Sequence, residues 1–552
     1  MSDSEVCIIG AGAGGALAAW ALVRRGVRVT LLDAGPRFNP GAFDTHAQRW
    51  ELDASPFDTY ASAERGWEGA SGEPLDAAFR ELSSHSPADP GSAPTQREPF
   101  VYSRALGVGG STLHYQGEAH RFPAHAFQMR TERGIAADWP IDYEDLAPYY
   151  DRVERLLDVA GTARNPFKPA RGPYPHPAHP LSRASQQVGE GARRLGWTLI
   201  PNSLAILGGP RDGRAACHFC NGCERGCRIG AKSSVDVAVL PEAERTGKLA
   251  IEPRVRVSRL EHGPDGRIRA VIGSHADGRE VRFRARAFVL SAGAIESPRL
   301  LLHSAEGVHR NGIGNASGLV GRFLMETLYF ERTGFLQRPV ESYAGIPIES
   351  RIWDFNGARD DAVLPNGLVL GASCGVFQGP VGTALEGIAG YGREHRREMR
   401  RRFGAGITLF GIAEQLPRAD NRVVLSERTD ARGTPLARIE TRLDTDDLRA
   451  LSACRERLGE LGEAAEVEFI GQVSAYDRPG ATHVAGTCRM GIDPDTSVVD
   501  VEGVVHGVPN LIVADASVLV TEGAGDSPSL TIQALALRSA EALADRAQRG
   551  EI

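Results

Sequence analysis

The 552-residue chain has no excess of positive charge and no long apolar stretch. Its formal net charge is -7, so it carries no electrostatic footprint for binding nucleic acid. No run approaches about 18 uninterrupted apolar residues, the length that a membrane-spanning helix needs. The first five residues contain neither a basic region nor an apolar core. No signal peptide is therefore predicted, and the cytoplasm is the expected compartment, with export on a partner subunit left open.

Cysteine is scarce, with only eight residues, and half of them fall in one short loop. The other four are scattered, which excludes a small disulfide scaffold; they are Cys7, Cys374, Cys454 and Cys488. The loop has the spacing C-x2-C-x2-C-x3-C of a bacterial-type iron–sulfur site, through Cys217, Cys220, Cys223 and Cys227. This spacing predicts a bound cluster. A zinc site and two local disulfides stay open as alternatives, although zinc sites more often separate two C-x2-C pairs by a longer loop.

A strand–helix–strand unit over residues 5–35 opens the chain, with Val6–Ile9 and Val27–Asp33 as the strands. Between them stands a G-x-G-x-x-G fingerprint that consists of Gly10, Gly12 and Gly15. In such a fingerprint the glycines turn the chain, let the backbone approach a pyrophosphate and pack the helix on the strand. Asp33 ends the second strand, where an acid can accept hydrogen bonds from ribose hydroxyls. The unit predicts a bound dinucleotide without separating FAD from NAD.

Composition and pattern divide the chain into five segments. They are 1–135, the first part of a Rossmann-like cofactor domain with a covering excursion at 38–98; 136–200, a helix and a proline-rich loop or lid; 201–326, the second part of the cofactor domain with the cysteine loop 217–230; 327–473, a sheet-containing domain; and 474–552, the last part of the cofactor domain. The expected fold class is α/β, or α+β overall, with two domains.

Six segments then carry a family resemblance, in the same order as in that family. They are 104–115, 139–154, 291–301, 318–326, 483–491 and 515–532. Each resembles a motif of the glucose–methanol–choline (GMC) oxidoreductases, and the likeness is nearest to bacterial FAD-dependent sugar and alcohol dehydrogenases that carry a cysteine cluster. The resemblance implies that FAD is the cofactor and that the 327–473 domain binds an alcohol or a sugar.

The resemblance also assigns residues to the cofactor site. The implied contacts, beyond the fingerprint and Asp33, are Gly109, Gly110, Ser111, His114, Val255, Gly293, Asp515 and Ala516. His114 has the offset at which choline and pyranose oxidases carry the flavin covalently, whereas other members keep the histidine without the bond.

The family's catalytic histidine corresponds to His483, which is expected to take the hydroxyl proton while the flavin takes the hydride. The family usually pairs it with a second histidine or an asparagine, and here that position holds Ser527. Serine can hydrogen-bond a substrate hydroxyl. Followed by Pro528, it can also cap the final helix, and both interpretations stay open.

The cysteine loop resembles that of iron–sulfur glucose dehydrogenases of the family, in which three cysteines at C-x5-C-x3-C hold a three-iron cluster. Cys217, Cys223 and Cys227 reproduce this spacing and Cys220 is additional, so a 3Fe-4S or a 4Fe-4S cluster is expected. Fatty-alcohol oxidases of the family carry a related loop followed by Gly-x-Lys, which Gly230 and Lys232 reproduce.

The predicted function is an FAD-dependent dehydrogenase that passes electrons through the cluster to a quinone, a cytochrome or a small redox subunit. Three alternatives stay open: an oxidase that uses O2 and keeps the loop as a structural element, a non-redox lyase or decarboxylase, and an electron-transfer subunit with no substrate of its own.

Overall fold

The computed structural model describes most of the chain, in several ranges. They are residues 4–40, 67–68, 83–85, 101–102, 104–169, 171–275, 277–357, 367–374, 380, 383–430, 432–470, 480–481 and 483–551. The predicted covering excursion 38–98 lies largely outside the described residues. The α/β class with a Rossmann-like domain and a second sheet domain is confirmed.

A five-stranded parallel sheet forms the centre of the cofactor domain. Its strands, in spatial order, are Leu249–Glu252, Val29–Leu32, Val6–Ile9, Ala287–Leu290 and Leu511–Val513. The middle strands are buried at every position, as expected for a parallel sheet that is covered on both faces. The helices Ala13–Arg24 and Ser529–Gln548 pack against each other beside this sheet. The strand Val6–Ile9 has the bounds that were predicted from the sequence.

A six-stranded antiparallel sheet forms the second domain. Its order is Val467–Phe469, Thr327–Leu336, Gly406–Glu414, Leu368–Cys374, Ser350–Ile352 and Leu199–Pro201. One face buries apolar side chains under the helices Arg183–Arg194 and Thr445–Ala464. On the other face Arg351, Gly371 and Phe410 stand opposite one another on three neighbouring strands. The strand Leu199–Pro201 joins this sheet from outside the segment 327–473.

The remaining elements are short or peripheral. One antiparallel sheet consists of Arg256–His262, Ile268–Ser274 and Glu280–Arg284, and another sheet of Arg422–Thr429, Pro435–Thr441 and Ser83–His85. Three pairs of two-residue strands are Val101–Tyr102 with Gly480–Ala481, Trp67–Glu68 with Arg104–Ala105, and Ala160–Gly161 with His176–Pro177. The other α-helices in the described ranges are Met129–Arg133, Tyr143–Leu156, Val235–Ala238, Leu240–Glu244, Gly293–His303 and Gly392–Arg402. Within the described ranges, every helix is too short or too polar to cross a bilayer.

Candidate active site

The glycine fingerprint forms a tight turn between the first strand and the first helix. Gly10 has φ of 99°, and a Cβ there would lie 2.2 Å from the carbonyl oxygen of Ser291. Gly12 is the N-cap of the helix Ala13–Arg24, whose first turn carries neither a side-chain cap nor an acidic residue. Backbone N–H groups at such an end attract a phosphate. The turn therefore fits the pyrophosphate of a dinucleotide.

Asp33 lies beside this turn, at the end of the second strand, and is almost fully buried. Its carboxylate accepts hydrogen bonds from the N–H groups of Ala11 at 3.0 Å and Gly35 at 2.9 Å. The N–H group of Val255 donates to the carbonyl oxygen of Asp33 at 2.8 Å, so Val255 borders the same corner of the sheet. A carboxylate at the end of the second strand can accept hydrogen bonds from the ribose hydroxyls of a dinucleotide.

The second glycine motif packs directly on the first. Gly109 donates its N–H to Ala11 O at 2.9 Å, and a Cβ on Gly110 would lie 2.6 Å from the Cα of Gly12. The short helix Gly110–Leu113 follows, with Ser111 exposed and His114 as its C-cap. Desolvation, helped by the charge of Lys232, lowers the pKa of His114 to about 3, so its imidazole is neutral at pH 7.

Two more residues that were predicted to contact the cofactor, Gly293 and Asp515, lie close together at the far side of the sheet. The carboxylate of Asp515 accepts hydrogen bonds from the N–H of Gly293 at 2.9 Å and from the hydroxyl of Ser297 at 2.5 Å. Ala516 follows and begins the short helix Ala516–Val518. Gly10, Asp33, Gly293 and Asp515 all follow strands of the parallel sheet, at their carboxyl ends, where open α/β sheets bind ligands.

His483 lies between the two domains. Its Nδ1 is 3.3 Å from the hydroxyl oxygen of Thr327, the first residue of the longest strand in the second sheet. Desolvation of the ring lowers the pKa of His483 to about 4; Glu118 opposes this shift, whereas Arg351 and His120 add to it. The imidazole is therefore unprotonated at neutral pH and can accept a proton.

Ser527 is buried in the loop before the last helix. Its N–H donates to Nδ1 of His120 at 3.1 Å, and its hydroxyl lies 3.4 Å from that of Ser529. The helix begins at Ser529, with Pro528 as its N-cap. The interpretation of Ser527 as the N-cap with Pro528 as the first helical residue is therefore wrong, because the helix starts one residue later.

A buried hydrogen-bonded chain beside His483 was not predicted. The Arg351 guanidinium donates to Glu118, whose carboxylate also accepts from the Asn202 side-chain amide at 2.7 Å. The amide oxygen of Asn202 lies 2.6 Å from Nε2 of His120. Glu118 and His120 follow His114 by four and six residues, so their proximity to a motif could have marked them. Asn202 and Arg351 come from distant segments, and only the fold brings them here.

The proline-rich loop covers this hydrogen-bonded chain of side chains from one side. Lys168 of the loop forms an ion pair with the fully buried Asp526 and lies 5.5 Å from the centre of the Trp353 ring. The Trp353 ring N–H also donates to Asp526, at 2.9 Å. A cavity next to these residues is lined in addition by His120, Arg121, Tyr174 and Ser203. Asp526 precedes Ser527 and could have been found by that adjacency.

The four clustered cysteines line one pocket. Backbone N–H groups donate to Sγ of Cys217 and of Cys227, each at 3.4 Å. Burial raises the pKa of the Cys217 thiol to about 11 and that of Cys223 further. All eight cysteines lie within the described chain and no disulfide joins them, so the disulfide alternative is wrong. In the same described part, no three His, Cys, Asp or Glu side chains are placed to hold a metal ion. The pocket as it stands does not fit a zinc ion or an iron–sulfur cluster.

Comparison with known proteins decides the family. Residues 87–325 and 417–536 match the GMC oxidoreductase family, and residues 8–69 match an NAD(P)-binding Rossmann-like domain. The chain is 30% identical to 2-methyl-1,2-propanediol dehydrogenase of Mycolicibacterium austroafricanum, over 99% of this chain and 96% of that protein. It is 31% identical to paromamine 6'-oxidase of Streptomyces fradiae, over 98% of this chain and 91% of that protein.

The chain belongs to the GMC oxidoreductase family. Among solved structures, this GMC oxidoreductase resembles pyridoxine 4-oxidase from Mesorbium loti, with a TM-score of 0.62 and 20% identity over 99% of both chains, which is a likeness of fold. Family membership makes it an FAD-dependent alcohol or sugar oxidoreductase. The uncapped helix end at Gly12 and the carboxylate of Asp33 fit that cofactor.

Proposed function

We propose that His483 is the base that takes the hydroxyl proton when this GMC oxidoreductase oxidises a CH–OH group. FAD, when bound, supplies the hydride acceptor. The observation that carries the proposal is the position of His483 between the cofactor motifs and the second sheet, tied by its Nδ1 to Thr327. Its lowered pKa keeps the ring unprotonated at neutral pH, the state that a general base needs. Such assistance accelerates a reaction by about 10²–10⁴-fold.

Ser527 is proposed to contact the substrate hydroxyl from the side opposite His483. Its backbone N–H is held by His120, which leaves the hydroxyl with only the contact to Ser529 among those described. A serine hydroxyl can both donate and accept, so it suits a group that loses its proton. The helix that follows directs its N-terminal N–H groups toward this side of the site, where negative charge is stabilised.

The residues assigned to FAD by their motifs keep that assignment as a proposal. The pyrophosphate would contact the turn that contains Gly10, Gly12 and Gly15, and the ribose would contact Asp33. The flavin end would lie against the Gly109–His114 segment, with Gly293 and Asp515 at the opposite edge. His114 is neutral, as a histidine must be to act as a nucleophile toward a flavin, and a covalent bond there is tested by denaturing the protein and asking whether the flavin remains attached.

Electrons are proposed to leave to an acceptor other than NAD, such as a quinone, a cytochrome or a small redox subunit. The iron–sulfur cluster stays a prediction of the cysteine spacing. The arrangement of the four cysteine side chains does not fit a cluster, so no step is assigned to one here.

An O2-using oxidase is the second candidate. It is favoured by the absence, within the described residues, of a side-chain group able to hold a metal, and by a relative that is named an oxidase. In that case the cysteine loop is a structural element that packs against the flavin segment.

One anaerobic experiment distinguishes a dehydrogenase from an O2-using oxidase. Alcohols and sugars are mixed with the purified holoprotein, and bleaching of the flavin absorbance identifies a substrate. The reduced protein is then mixed with O2, with a soluble quinone or with cytochrome c. Fast reoxidation by quinone or cytochrome and slow reoxidation by O2 is the result expected of a dehydrogenase. Flavin that no alcohol or sugar bleaches contradicts the proposed oxidation.

Iron and acid-labile sulfide analysis of the anaerobically purified protein tests the cluster directly. Three irons per chain that survive Cys220→Ser indicate a three-iron cluster held by Cys217, Cys223 and Cys227. Four irons that are lost in the same variant indicate four ligands, because losing one ligand usually loses the metal. Protein with FAD and no iron contradicts the prediction.

A further inference from the structure

The loop over residues 521–526, just before the last helix, has a strained backbone. Gly523, Ala524 and Gly525 have φ of 74°, 59° and 87°, so three consecutive residues lie in the left-handed region. Glycine adopts this region freely, but for Ala524 it is sterically unfavourable. Such a conformation persists only where the surrounding structure enforces it. The contacts that hold the 521–526 loop therefore determine where the next residue, Ser527, is placed.

A buried carboxylate of the second sheet holds this loop. Glu414 is the last residue of the strand Gly406–Glu414 and is buried. Its Oε1 accepts the N–H of Glu522 at 2.5 Å, and its Oε2 accepts the N–H of Ala524 at 2.9 Å. Hydrogen bonds to an ionised carboxylate are about twice as strong as those between neutral groups. Each oxygen of Glu414 thus fixes one backbone N–H group of the loop.

The same end of the second sheet also holds His483. Thr327 is paired directly opposite Glu414 on the neighbouring strand. Opposite residues of an antiparallel pair share a face of the sheet, with Cβ atoms about 4.5–5.5 Å apart. The hydroxyl oxygen of Thr327 lies 3.3 Å from Nδ1 of His483, and Met325 exchanges two backbone hydrogen bonds of 3.0 Å with Ala485. One pair of strands therefore contacts both the histidine segment and the loop.

The far end of the loop is fixed by other elements. The Trp353 ring N–H donates to Asp526 at 2.9 Å, and the N–H of Ser527 donates to Nδ1 of His120 at 3.1 Å. Glu414 differs from these partners because its own strand is paired with the strand that contacts the proposed base. A displacement of Glu414 would thus move the loop relative to that base.

We propose that Glu414 is a positioning residue of the oxidation, which acts through the 521–526 loop and fixes the hydroxyl of Ser527 against the imidazole of His483. The inference rests on the proposed roles of these two side chains and adds the group that sets their spacing. Reacting groups must be held within about 0.5 Å of their productive geometry, so a loop that loses one of its two carboxylate contacts should place Ser527 less well.

The variant Glu414→Gln tests this directly. It keeps the shape of the side chain and replaces one acceptor oxygen by an NH2 group that cannot accept a hydrogen bond. We expect the variant to retain FAD and to lower the rate of flavin reduction, kred, by about 2- to 10-fold, the worth of one neutral hydrogen bond. The rate is measured by anaerobic stopped-flow bleaching with the alcohol or sugar that bleaches the wild type fastest in the screen described above.

Glu349→Gln is the matched control. Glu349 is also buried, and its Oε1 accepts a backbone N–H, that of Ser182, at 2.6 Å. Ser182 also contacts Cys374, which is paired with Ile407 at the opposite end of the sheet from Glu414. We expect the control variant to reduce its flavin at the wild-type rate, even if its melting temperature falls.

A double-mutant cycle shows whether Glu414 acts through Ser527. If it does, adding Glu414→Gln to Ser527→Ala should lower kred by less than about 2-fold, because the hydroxyl that the loop positions is already gone. A carboxylate with a purely structural role would not show this coupling. If Glu414→Gln does not retain FAD, Glu414→Asp enters the same cycle with the same expectation, since it keeps two acceptor oxygens on a shorter stem.

Two results overturn the proposal and leave the proposed function intact. One is a Glu414→Gln variant that reduces its flavin at the wild-type rate. The other is a double variant in which the effects of Glu414→Gln and Ser527→Ala multiply, because the two groups then act independently. If instead Ser527→Ala or His483→Ala alone bleaches at the wild-type rate, the proposed role of that side chain in the oxidation fails first.

Discussion

The ammonium group of Lys232 donates a hydrogen bond of 2.7 Å to the carbonyl oxygen of Leu113. Leu113 is the residue before His114, and Lys232 follows the last cysteine of the loop by five residues. The same ammonium group reaches the carbonyl oxygens of Tyr115 at 2.9 Å and Cys223 at 2.7 Å. One fully buried cation thus fastens the cysteine loop to the segment that we propose to border the flavin.

Lys232→Met should therefore loosen both segments. Three buried carbonyl oxygens lose their donor, and burial alone cannot replace it, so we expect the free energy of unfolding to fall by about 2–4 kcal/mol. FAD should also dissociate more readily. Urea unfolding of the holoprotein and the FAD content after gel filtration measure the two effects. Lys248→Met is the control at an exposed lysine, and equal stability of the two variants contradicts the fastening role.

His483→Ala should slow flavin reduction by at least about 100-fold, because the substrate hydroxyl loses its base. The bound FAD and the melting temperature should stay close to those of the wild type. Stopped-flow bleaching under anaerobic conditions gives the rate. His303→Ala, at the end of a helix away from the site, should bleach at the wild-type rate. A His483 variant that bleaches equally fast would remove His483 from the mechanism.

The pH dependence of flavin reduction should also differ from that of an ordinary histidine. Since the pKa of His483 is lowered to about 4, the ring stays unprotonated across the range in which free histidine titrates. We expect a flat rate from pH 7 to about pH 5 and a fall only near pH 4. The stability that comes from the neutral ring is present above pH 6.5 and is lost as the pH falls through 4. A midpoint near 6.5 in the rate profile would show that the ring is solvated.

Ser527→Ala should lower kcat by about 2- to 10-fold, the worth of one neutral hydrogen bond, with little change in melting temperature. Stability is spared because Pro528, and not Ser527, is the N-cap of the last helix. Ser539→Ala, ten residues farther along the same helix, is the matched control. Steady-state kinetics and thermal melts of both variants suffice. If Ser527→Ala left the kinetics unchanged and lowered the melting temperature, the role of Ser527 would be structural.

The Lys168–Asp526 pair gives a double-mutant cycle. Asp526→Asn strands a buried ammonium group and should cost about 3–5 kcal/mol, whereas adding Lys168→Met should recover most of that loss. Burial works to raise the pKa of Asp526, but Lys168 and His120 outweigh it and hold the pKa below its ordinary value. The pair therefore stabilises the fold above about pH 4 and loses its contribution as acid protonates the carboxylate. Additive effects in urea unfolding would show that the two charges act independently.

The cofactor motifs were predictable because short segments dictate them. Gly10 and Gly109 need positive φ within their own turns, and Asp33 follows its strand directly. The first helix begins at Ala13, inside the glycine fingerprint, and Gly14 and Gly15 continue it. A Cβ on Gly14 would lie 1.9 Å from the carbonyl oxygen of Ala514. This requirement comes from a strand 500 residues away along the chain and leaves no local signal.

The ion pair between Glu118 and Arg351, by contrast, could not be predicted from the sequence. Glu118 and Arg351 are separated by 233 residues, and neither belongs to a motif. In the sequence, each of the two residues looks like an ordinary charged residue at the protein surface. The contact arises because Arg351 occupies a strand near the edge of the second sheet that the Leu199–Pro201 strand completes. Burial and pairing across domains are properties of the assembled sheet, which no spacing in the sequence encodes.

The strand Leu511–Val513 closes the parallel sheet that Val6–Ile9 begins, and this order has a consequence for synthesis on the ribosome. Until residue 513 has left the exit tunnel, the edge of Ala287–Leu290 has no partner and its backbone N–H and C=O groups stay open. Contacts between such distant segments also slow folding. The nascent chain must therefore keep an apolar edge from aggregating while residues 291–513 are translated, and a chaperone that holds extended segments should raise the yield of the full-length protein.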